Sequence, residues 1–330
     1  MSAQPHTAGA AAAGALAHAS VRVAEPPSPG RRALRWLLAL PPAYAGLLLL
    51  LLLAAWMRPQ LLSLMLLPLI ARQAAPLGLA VIGQSLVMRA RSIDLSSGGV
   101  IVGVSYLLTS GFFPVSDAVA MALCVLLGVV VGVVNGVLIV RARASSMIVT
   151  LAVAMILMGT VIALAQFRAP GDAPEFLREL PRPVWLWLAV LLPAGLLLKR
   201  TVYGRSLDAV GTNPQAAALS GIPYLRVIFV GHVVSALISV LCGFILVGFV
   251  GKGSVTLGQD LALNSLAAAI LGGVNFGNGR GGMAGPAVAA FMLTFLFNFL
   301  TSLGLGEPGR LMLQGAIIAA AALVYSLNKR

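Results

Sequence analysis

The chain has few charged and aromatic residues. Of its 330 residues only 9% are charged and 6% aromatic, whereas 59% are hydrophobic, and the mean hydropathy is +0.99. A water-soluble domain cannot bury that much apolar surface. Apolar runs of helix length recur along the sequence, whereas the alternating pattern of a β-barrel is absent. The composition therefore predicts an all-α polytopic membrane protein.

Cysteine and histidine are also scarce, and their placement excludes several kinds of site. Cys124 and Cys242 fall inside separate apolar segments, so we expect small core- or lipid-facing residues and no disulfide. His6, His18 and His232 are scattered, which gives no metal-ligand spacing. The sequence contains no G-x-x-x-x-G-K-[ST] loop and no cluster of acids with histidines. It therefore predicts no enzyme, no cofactor and no nucleotide site.

Basic residues outnumber acidic ones, 22 to 9, and lie mainly between the apolar runs. That placement orients a membrane protein and favours cytoplasmic termini, so nucleic acid is not needed as a partner. Arg72 and Pro76 indicate that the second span is broken, or is kinked and faces protein. We expect about ten spans, near residues 36–56, 61–88, 95–111, 118–140, 146–167, 184–198, 225–250, 261–276, 284–303 and 310–326.

The predicted spans divide into two sets of five. Five spans before residue 170 and five after it give the halves opposite orientations, which suggests an inverted 5+5 repeat. Residues 1–30, rich in Ala, Gly, Pro and Ser, are predicted to form a disordered cytoplasmic tail. The transmembrane domain then covers 31–330, with a cytoplasmic loop at 199–225.

That loop is predicted to contain a short helix, because the sequence has typical capping residues at both of its ends. Asn213 is an N-cap residue, and Pro214 suits the first helical position, where a missing N–H has no cost. Three alanines continue the helix, Gly221 supplies a left-handed end and Pro223 stops it from resuming. A rigid helix with small side chains on a cytoplasmic loop fits a groove on a soluble partner. This indicates a membrane subunit driven by another protein.

A second polar motif, residues 89–99, joins the second and third spans. Asp94 stands near two arginines, Ser96 and Ser97 are candidate helix caps, and the two glycines that follow allow close backbone packing. Two interpretations stay open at this stage: a salt-bridged, capped helix start, or a gate of a transport pathway.

Polar and glycine residues elsewhere supply further candidates. We expect Asn135, beside Gly136, to hydrogen-bond another span rather than to contact a solute. The glycine-rich run at 271–286 is interpreted as a tight turn with close helix packing and a gating role, and its candidates are Gly272, Gly273, Gly279, Gly282 and Gly285. Polar residues that are candidates for lining a pathway, or for joining helices, are Gln84, Ser85, Asn264 and Asn298.

In this order the motifs resemble the permease subunits of bacterial ABC importers of the ribose/xylose/galactose class, over about residues 60–326. The most specific match is Tyr203–Ile222. The junction motif keeps Ile93-Asp94-Leu95-Ser96, but Arg91-Ser92 stands where the family has paired glycines. Gly136, Ile148–Leu151, Gly272-Gly273 and the glycines from 279 to 285 also resemble the family pattern.

The resemblance implies an inner-membrane permease that imports a small sugar or related polar solute. It implies two permease copies surrounded by lipid, a cytoplasmic ABC ATPase that hydrolyses the ATP, and a periplasmic solute-binding protein. A branched-chain amino-acid-type permease, or a secondary transporter or channel, remains an alternative. The residues that the resemblance places against the ATPase are Gly204, Arg205, Asp208, Gly211, Asn213, Pro214, Ala216, Ala217 and Gly221.

Overall fold

The computed structural model describes residues 40–179, 183–274 and 281–309, with a few residues between 311 and 319. Within these ranges the regular secondary structure is helical, apart from an isolated bridge between Asp172 and Lys252. The described helices are α1 (Pro42–Met57), α2 (Leu66–Arg89), α3 (Ser97–Thr109), α4 (Asp117–Arg141), α5 (Ser146–Ala165), α6 (Glu175–Arg178), α7 (Pro183–Arg200), α8 (Val202–Thr212), α9 (Pro214–Leu219), α10 (Tyr224–Val250), α11 (Leu261–Leu271) and α12 (Ala284–Ser302).

The predicted all-helical membrane fold is confirmed. In the described part of the chain, α2, α4, α5, α10 and α12 are long and apolar enough to cross a membrane. A sixth span is formed if α7 and α8 are counted together, although the chain bends by 72° between them. The apolar helices α1, α3 and α11 are shorter and lie where spans are predicted. The tail at 1–30 lies outside the described residues, and so does most of the predicted last span.

Helices α2 and α10 form the centre of the bundle. Helix α2 packs against α10, α12, α11 and α7, and α10 also packs against α4 and α3. In their most apolar windows α2 is 61% buried and α10 is 56% buried, compared with 28% for α5. A helix that is apolar all round but little buried by its own chain turns that surface to lipid or to another subunit. Helices α4 and α5 are therefore peripheral.

The second predicted span is not broken within the membrane helix. A 3-10 turn at Pro59–Leu62 precedes α2, which then runs without interruption through Pro76. Every residue of α2 from Ala74 to Arg89 is buried, so this part of the helix faces protein, as predicted. The thiol of Cys242 on α10 donates to the Pro76 carbonyl, with 3.1 Å between sulfur and oxygen. Cys124 and Cys242 are both buried and unpaired, as predicted.

Small residues bring helix backbones together. A Cβ atom on Gly132 of α4 would lie 2.6 Å from the Cα of Val233 on α10. The close packing predicted for Gly98 and Gly99 is present, since a Cβ on Gly98 would lie 2.7 Å from a backbone oxygen, and one on Gly99 would lie 2.8 Å from the Cα of Ala154. Such approaches suit membrane helices, which associate mainly through van der Waals packing.

Candidate coupling helix and buried polar cluster

The short helix predicted at 213–220 is α9, and both of its predicted ends are present. The side-chain oxygen of Asn213 accepts hydrogen bonds from the amides of Gln215 and Ala216, at 3.0 and 3.1 Å. Pro214 is the first residue of the helix. Gly221 follows with φ +77°, in the left-handed region that favours glycine. Local sequence rules therefore fix this helix at both ends.

Most of α9 projects away from the bundle. Ala217 is buried, whereas Gln215, Ala216 and Ala218 are exposed. Leu219, the last residue of the helix, is 92% exposed. A surface of alanines with one exposed leucine can be covered by a complementary groove.

Upstream of α9, the structure contains a helix that the sequence interpretation missed. The segment assigned to a loop forms α8, whose first turn is capped by Thr201: its hydroxyl accepts from the Gly204 amide at 3.1 Å. Gly204 lies against the end of α7, since a Cβ there would sit 2.3 Å from the Leu198 carbonyl oxygen. Leu207 and Val210 form the buried face of α8, together with Gly211. Thr201 followed by apolar residues three apart was the signal that could have revealed it.

An ion pair ties α8 to the end of α2. One terminal nitrogen of the Arg89 guanidinium donates to Asp208, and the other donates to the Gly281 carbonyl. The Arg89 side chain is 7% exposed and that of Asp208 is 46% exposed. Of the residues that the resemblance places against the ATPase, Asp208 is bound to Arg89 in this way, whereas Arg205 is exposed and forms no ion pair with the described residues.

Arg91 forms a second attachment to α8. Its Nε donates to the Gly211 carbonyl at 2.8 Å, and its Nη2 donates to the Thr212 carbonyl at 2.9 Å. These carbonyls lie at the C-terminal end of α8, where helical partners are missing and a cation is favoured. Arg91 has φ +59°, a conformation that costs a non-glycine residue free energy. It occupies a position at which the resembled family has glycine, and here its side chain secures α8.

Asp94 forms no salt bridge with the residues that the structure describes, which corrects one interpretation of the junction motif. The carboxylate is fully buried and accepts from hydroxyl and amide groups: the Ser96 amide at 2.9 Å, the Ser96 hydroxyl at 2.6 Å and the Ser235 hydroxyl at 2.7 Å. Ser96 therefore donates to Asp94 instead of capping α3, and Ser97 makes no side-chain cap either. Arg89 and Arg91 donate to α8 and to Gly281, and serine donors satisfy the buried acid instead.

The polar contacts around Asp94 join the α2–α3 junction to three helices, α4, α5 and α10. Asn135 on α4 donates to the Ser96 hydroxyl at 2.8 Å, so the interhelical hydrogen bond expected of Asn135 is present. Ser92 Oγ lies 2.7 Å from Nε2 of His232 on α10, and the hydroxyl of Thr150 on α5 accepts from the Leu95 amide at 3.0 Å. The sequence analysis did not select Ser92, His232, Ser235 or Thr150, because isolated polar residues in apolar runs give no spacing signal.

The glycine run contains a direct backbone contact. A Cβ on Gly285 would lie 2.0 Å from the Gly272 carbonyl oxygen, so the start of α12 touches the end of α11 with no side chain between them. Gly273 has φ +82° and makes the turn after α11. Gly282 has open space around it, so packing does not account for it. Gly279 lies outside the described residues. Gly136 faces the Phe229 ring, 2.6 Å from where its Cβ would be.

The four pathway candidates have different surroundings. Asn298 donates to Gln73 at 2.8 Å and to the Thr294 carbonyl at 2.9 Å, so it joins α12 to α2. Asn264 is buried on α11, 3.4 Å from Asp260. Gln84 and Ser85 lie side by side in buried α2. Among the described residues the amide nitrogen of Gln84 and the hydroxyl of Ser85 have no hydrogen-bond partner. Of the four candidates, these two therefore have buried polar atoms that no described residue satisfies.

Comparison with known proteins places the chain among transport permeases. It matches the family described as "Branched-chain amino acid transport system / permease component" over residues 66–322. The ribose import permease of Escherichia coli (strain K12) is 29% identical over 268 residues, 77% of this chain and 84% of that protein. The L-arabinose transport system permease of the same strain is 30% identical over 198 residues, 58% of this chain and 60% of that protein.

A third relative has a different named cargo. The autoinducer 2 import system permease of Photorhabdus luminescens is 29% identical over 279 residues, covering 80% of this chain and 82% of that protein. No solved structure matches the chain. Because the family match covers more than half of the sequence and includes α2 to α12, the chain belongs to the branched-chain amino acid transport system permease component family of membrane proteins.

Proposed function

We propose that this chain is the permease subunit of an ATP-driven importer, which carries a small sugar or related polar solute from the periplasm into the cytoplasm across the inner membrane. The observation that carries the proposal is α9: a capped, exposed helix whose neighbour α8 is attached to the spans through Arg89 and Arg91. An exposed helix that is fixed to the core can transmit a displacement, whereas a loose loop would absorb it.

The proposed solute class is based on the solutes for which the relatives are named. The family description names branched-chain amino acids, whereas the relatives above are named for ribose, L-arabinose and autoinducer 2. These relatives cover 58% to 80% of this chain, and the solutes in their names favour a sugar or a related polar solute. We propose that the solute itself is selected mainly by a separate periplasmic binding protein.

The proposed membrane arrangement has ten spans in an inverted 5+5 repeat and both termini in the cytoplasm. The basic residues between spans support this orientation. Helices α1 to α7 and α10 to α12 occur where spans or their connections are predicted. Two permease copies enclose the pathway, and lipid covers their outer faces.

In the proposed cycle, ATP binding closes two ATPase subunits and moves α9 in each permease copy. Asp208 and the end of α8 pass that movement to Arg89 and Arg91, at the junction of α2 and α3. Since α2 is central, its movement shifts the helices around Gln84 and Ser85 and changes which side of the membrane the pathway faces. The Gly272–Gly285 contact and the cluster around Asp94 hold the helices that separate at the gate. ATP is hydrolysed on the partner chain.

Affinity purification from mild detergent tests this function. We expect a Walker-motif ATPase to accompany the chain and to be lost when residues 213–220 are deleted. Gly221→Val provides a finer test, because a β-branched residue is disfavoured at φ +77°. Gly221→Asn is its matched control, since asparagine tolerates that conformation and a side chain there meets no atom within 4 Å. Transport and solute-stimulated ATP hydrolysis should fall in the valine variant and persist in the asparagine variant. A stable assembly without an ATPase would refute the proposal.

A further inference from the structure

A cavity of about 640 Å³ lies where α2, α7, α8 and α12 meet. It includes the last turns of α7 and the residues just before α12. The coupling contact between Arg89 and Asp208 forms part of its wall. The cluster around Asp94 lies outside this cavity, and the attachment of α8 to α2 does not explain why the cavity is open.

The polar part of the cavity has an excess of positive charge. Arg89, Lys199 and Arg205 line it, and Asp208 is the acidic residue among its described lining residues. Asp208 is already paired with Arg89, whereas Lys199 and Arg205 form no ion pair within the described part of the chain. The Nε of Arg89 is buried and has no hydrogen-bond partner among these residues. Three cations facing one carboxylate favour an anion in this space.

The start of α12 adds a second source of positive potential. Gly282, Met283 and Ala284 line the same cavity. Met283 occupies the N-cap position, and no side chain caps the first turn of this 19-residue helix. The free amides and the helix dipole at such an end attract anions.

The remaining wall is apolar and belongs to α7. Leu192 and Leu196 line the cavity and are 64% and 53% exposed. Between them Gly195 leaves a gap, because a Cβ there would meet no atom within 4 Å. Helix α7 is part of the bent span, and both leucines lie on an exposed face of it. A basic end joined to an apolar slot matches an amphiphile rather than a free anion.

We propose that this cavity binds one anionic phospholipid. Lys199, Arg205 and the first amides of α12 hold the headgroup phosphate, and an acyl chain lies over Gly195 between Leu192 and Leu196. The bound headgroup sits beside the Arg89–Asp208 pair, so the lipid stabilises the attachment of α8 to α2. The site does not depend on which solute is transported.

Lipid binding can be measured on the full-length chain in a neutral detergent. Phosphatidylglycerol and phosphatidylcholine are titrated separately, and binding is followed by native mass spectrometry and by the melting temperature. We expect phosphatidylglycerol to bind more tightly than phosphatidylcholine. Lys199→Gln should weaken phosphatidylglycerol binding about fivefold, as one basic residue contributes at an anionic lipid surface. Arg200→Gln is the matched control: it removes a charge from the next residue of α7, which is exposed but does not line the cavity.

A second variant tests the apolar slot without changing charge. Gly195→Leu fills the gap on an exposed helix face and should displace the acyl chain, so phosphatidylglycerol binding should fall while the protein still folds. Equal losses in Lys199→Gln and Arg200→Gln would overturn the proposal, because they would indicate general surface charge. Full stabilisation by inorganic phosphate alone would also overturn it, since the site would then hold a free anion. Normal phosphatidylglycerol binding by Gly195→Leu would do the same.

Discussion

The Arg89–Asp208 pair predicts an asymmetric response to mutation, because its two members are buried to different degrees. Asp208→Asn leaves the guanidinium of Arg89, which is 7% exposed, without its anion. Arg89→Gln leaves a carboxylate that is 46% exposed and can be hydrated. Losing the aspartate should therefore destabilise the protein more than losing the arginine, although Arg89 also donates to the Gly281 carbonyl.

The expected losses of stability follow from the exposed fractions of the two side chains. Opposite unit charges about 4 Å apart attract by about 4 kcal/mol at an effective dielectric constant of about 20. Solvent screening at the half-exposed Asp208 reduces the coupling to about 1–2 kcal/mol. An uncompensated buried cation adds to the loss, so Asp208→Asn should cost about 2–3 kcal/mol. Arg89→Gln loses the same coupling and the hydrogen bond to Gly281, but it also removes the cost of burying a cation, so it should cost about 1 kcal/mol.

A double-mutant cycle in detergent measures these differences through the melting temperature. At about 2 °C per kcal/mol for a protein of this size, Asp208→Asn should lower it by about 4–6 °C and Arg89→Gln by about 2 °C. The double variant should melt above Asp208→Asn, because the orphaned cation is gone. Additive losses in the double variant, or a larger loss for Arg89→Gln than for Asp208→Asn, would contradict this account of the pair.

Three further substitutions have defined outcomes. Gly285→Ala forces a methyl group against the Gly272 carbonyl oxygen and should lower the melting temperature by about 2–6 °C, for about 1–3 kcal/mol of overpacking; an unchanged value would argue against the backbone contact. Asn213→Ala removes the α9 cap, worth about 1 kcal/mol, and should speed amide exchange at the start of α9, whereas Asn213→Ser should not. Asp94→Asn places an amide donor among groups that donate to the carboxylate, and it should abolish transport while the chain still inserts in the membrane. Transport at the wild-type rate would show that Asp94 has no role in the gate.

Features encoded by neighbouring residues were predictable, and α9 is the clearest case. Its cap, its first residue and its left-handed end are each set within a few positions of Asn213. The positions of the apolar helices were predictable for a similar reason, since length and hydropathy are local. Helix α8 was missed because its polar exposed face hid the apolar period of Leu207 and Val210.

Contacts between distant segments could not be predicted. Arg89 and Asp208 are 119 residues apart in the sequence, and no local pattern links them. Near Asp94 the neighbouring arginines suggested an ion pair, but Arg91 donates to the carbonyls at the end of α8 instead. Asp94 is then satisfied by Ser96 and by Ser235, which lies 141 positions later. The roles of these residues in transport remain predictions.

The two attachments of α8, through Arg89 and Arg91, also limit how far this helix can tilt. Thr212 lies four residues beyond Asp208, about 6 Å along the helix. Tilting α8 by about 6° around Asp208 moves Thr212 by about 0.6 Å, which lengthens its 2.9 Å bond to Arg91 to the 3.5 Å limit of a hydrogen bond. In the proposed cycle, a larger tilt of α8 therefore either moves the α2–α3 junction, which carries Arg91, or breaks this hydrogen bond.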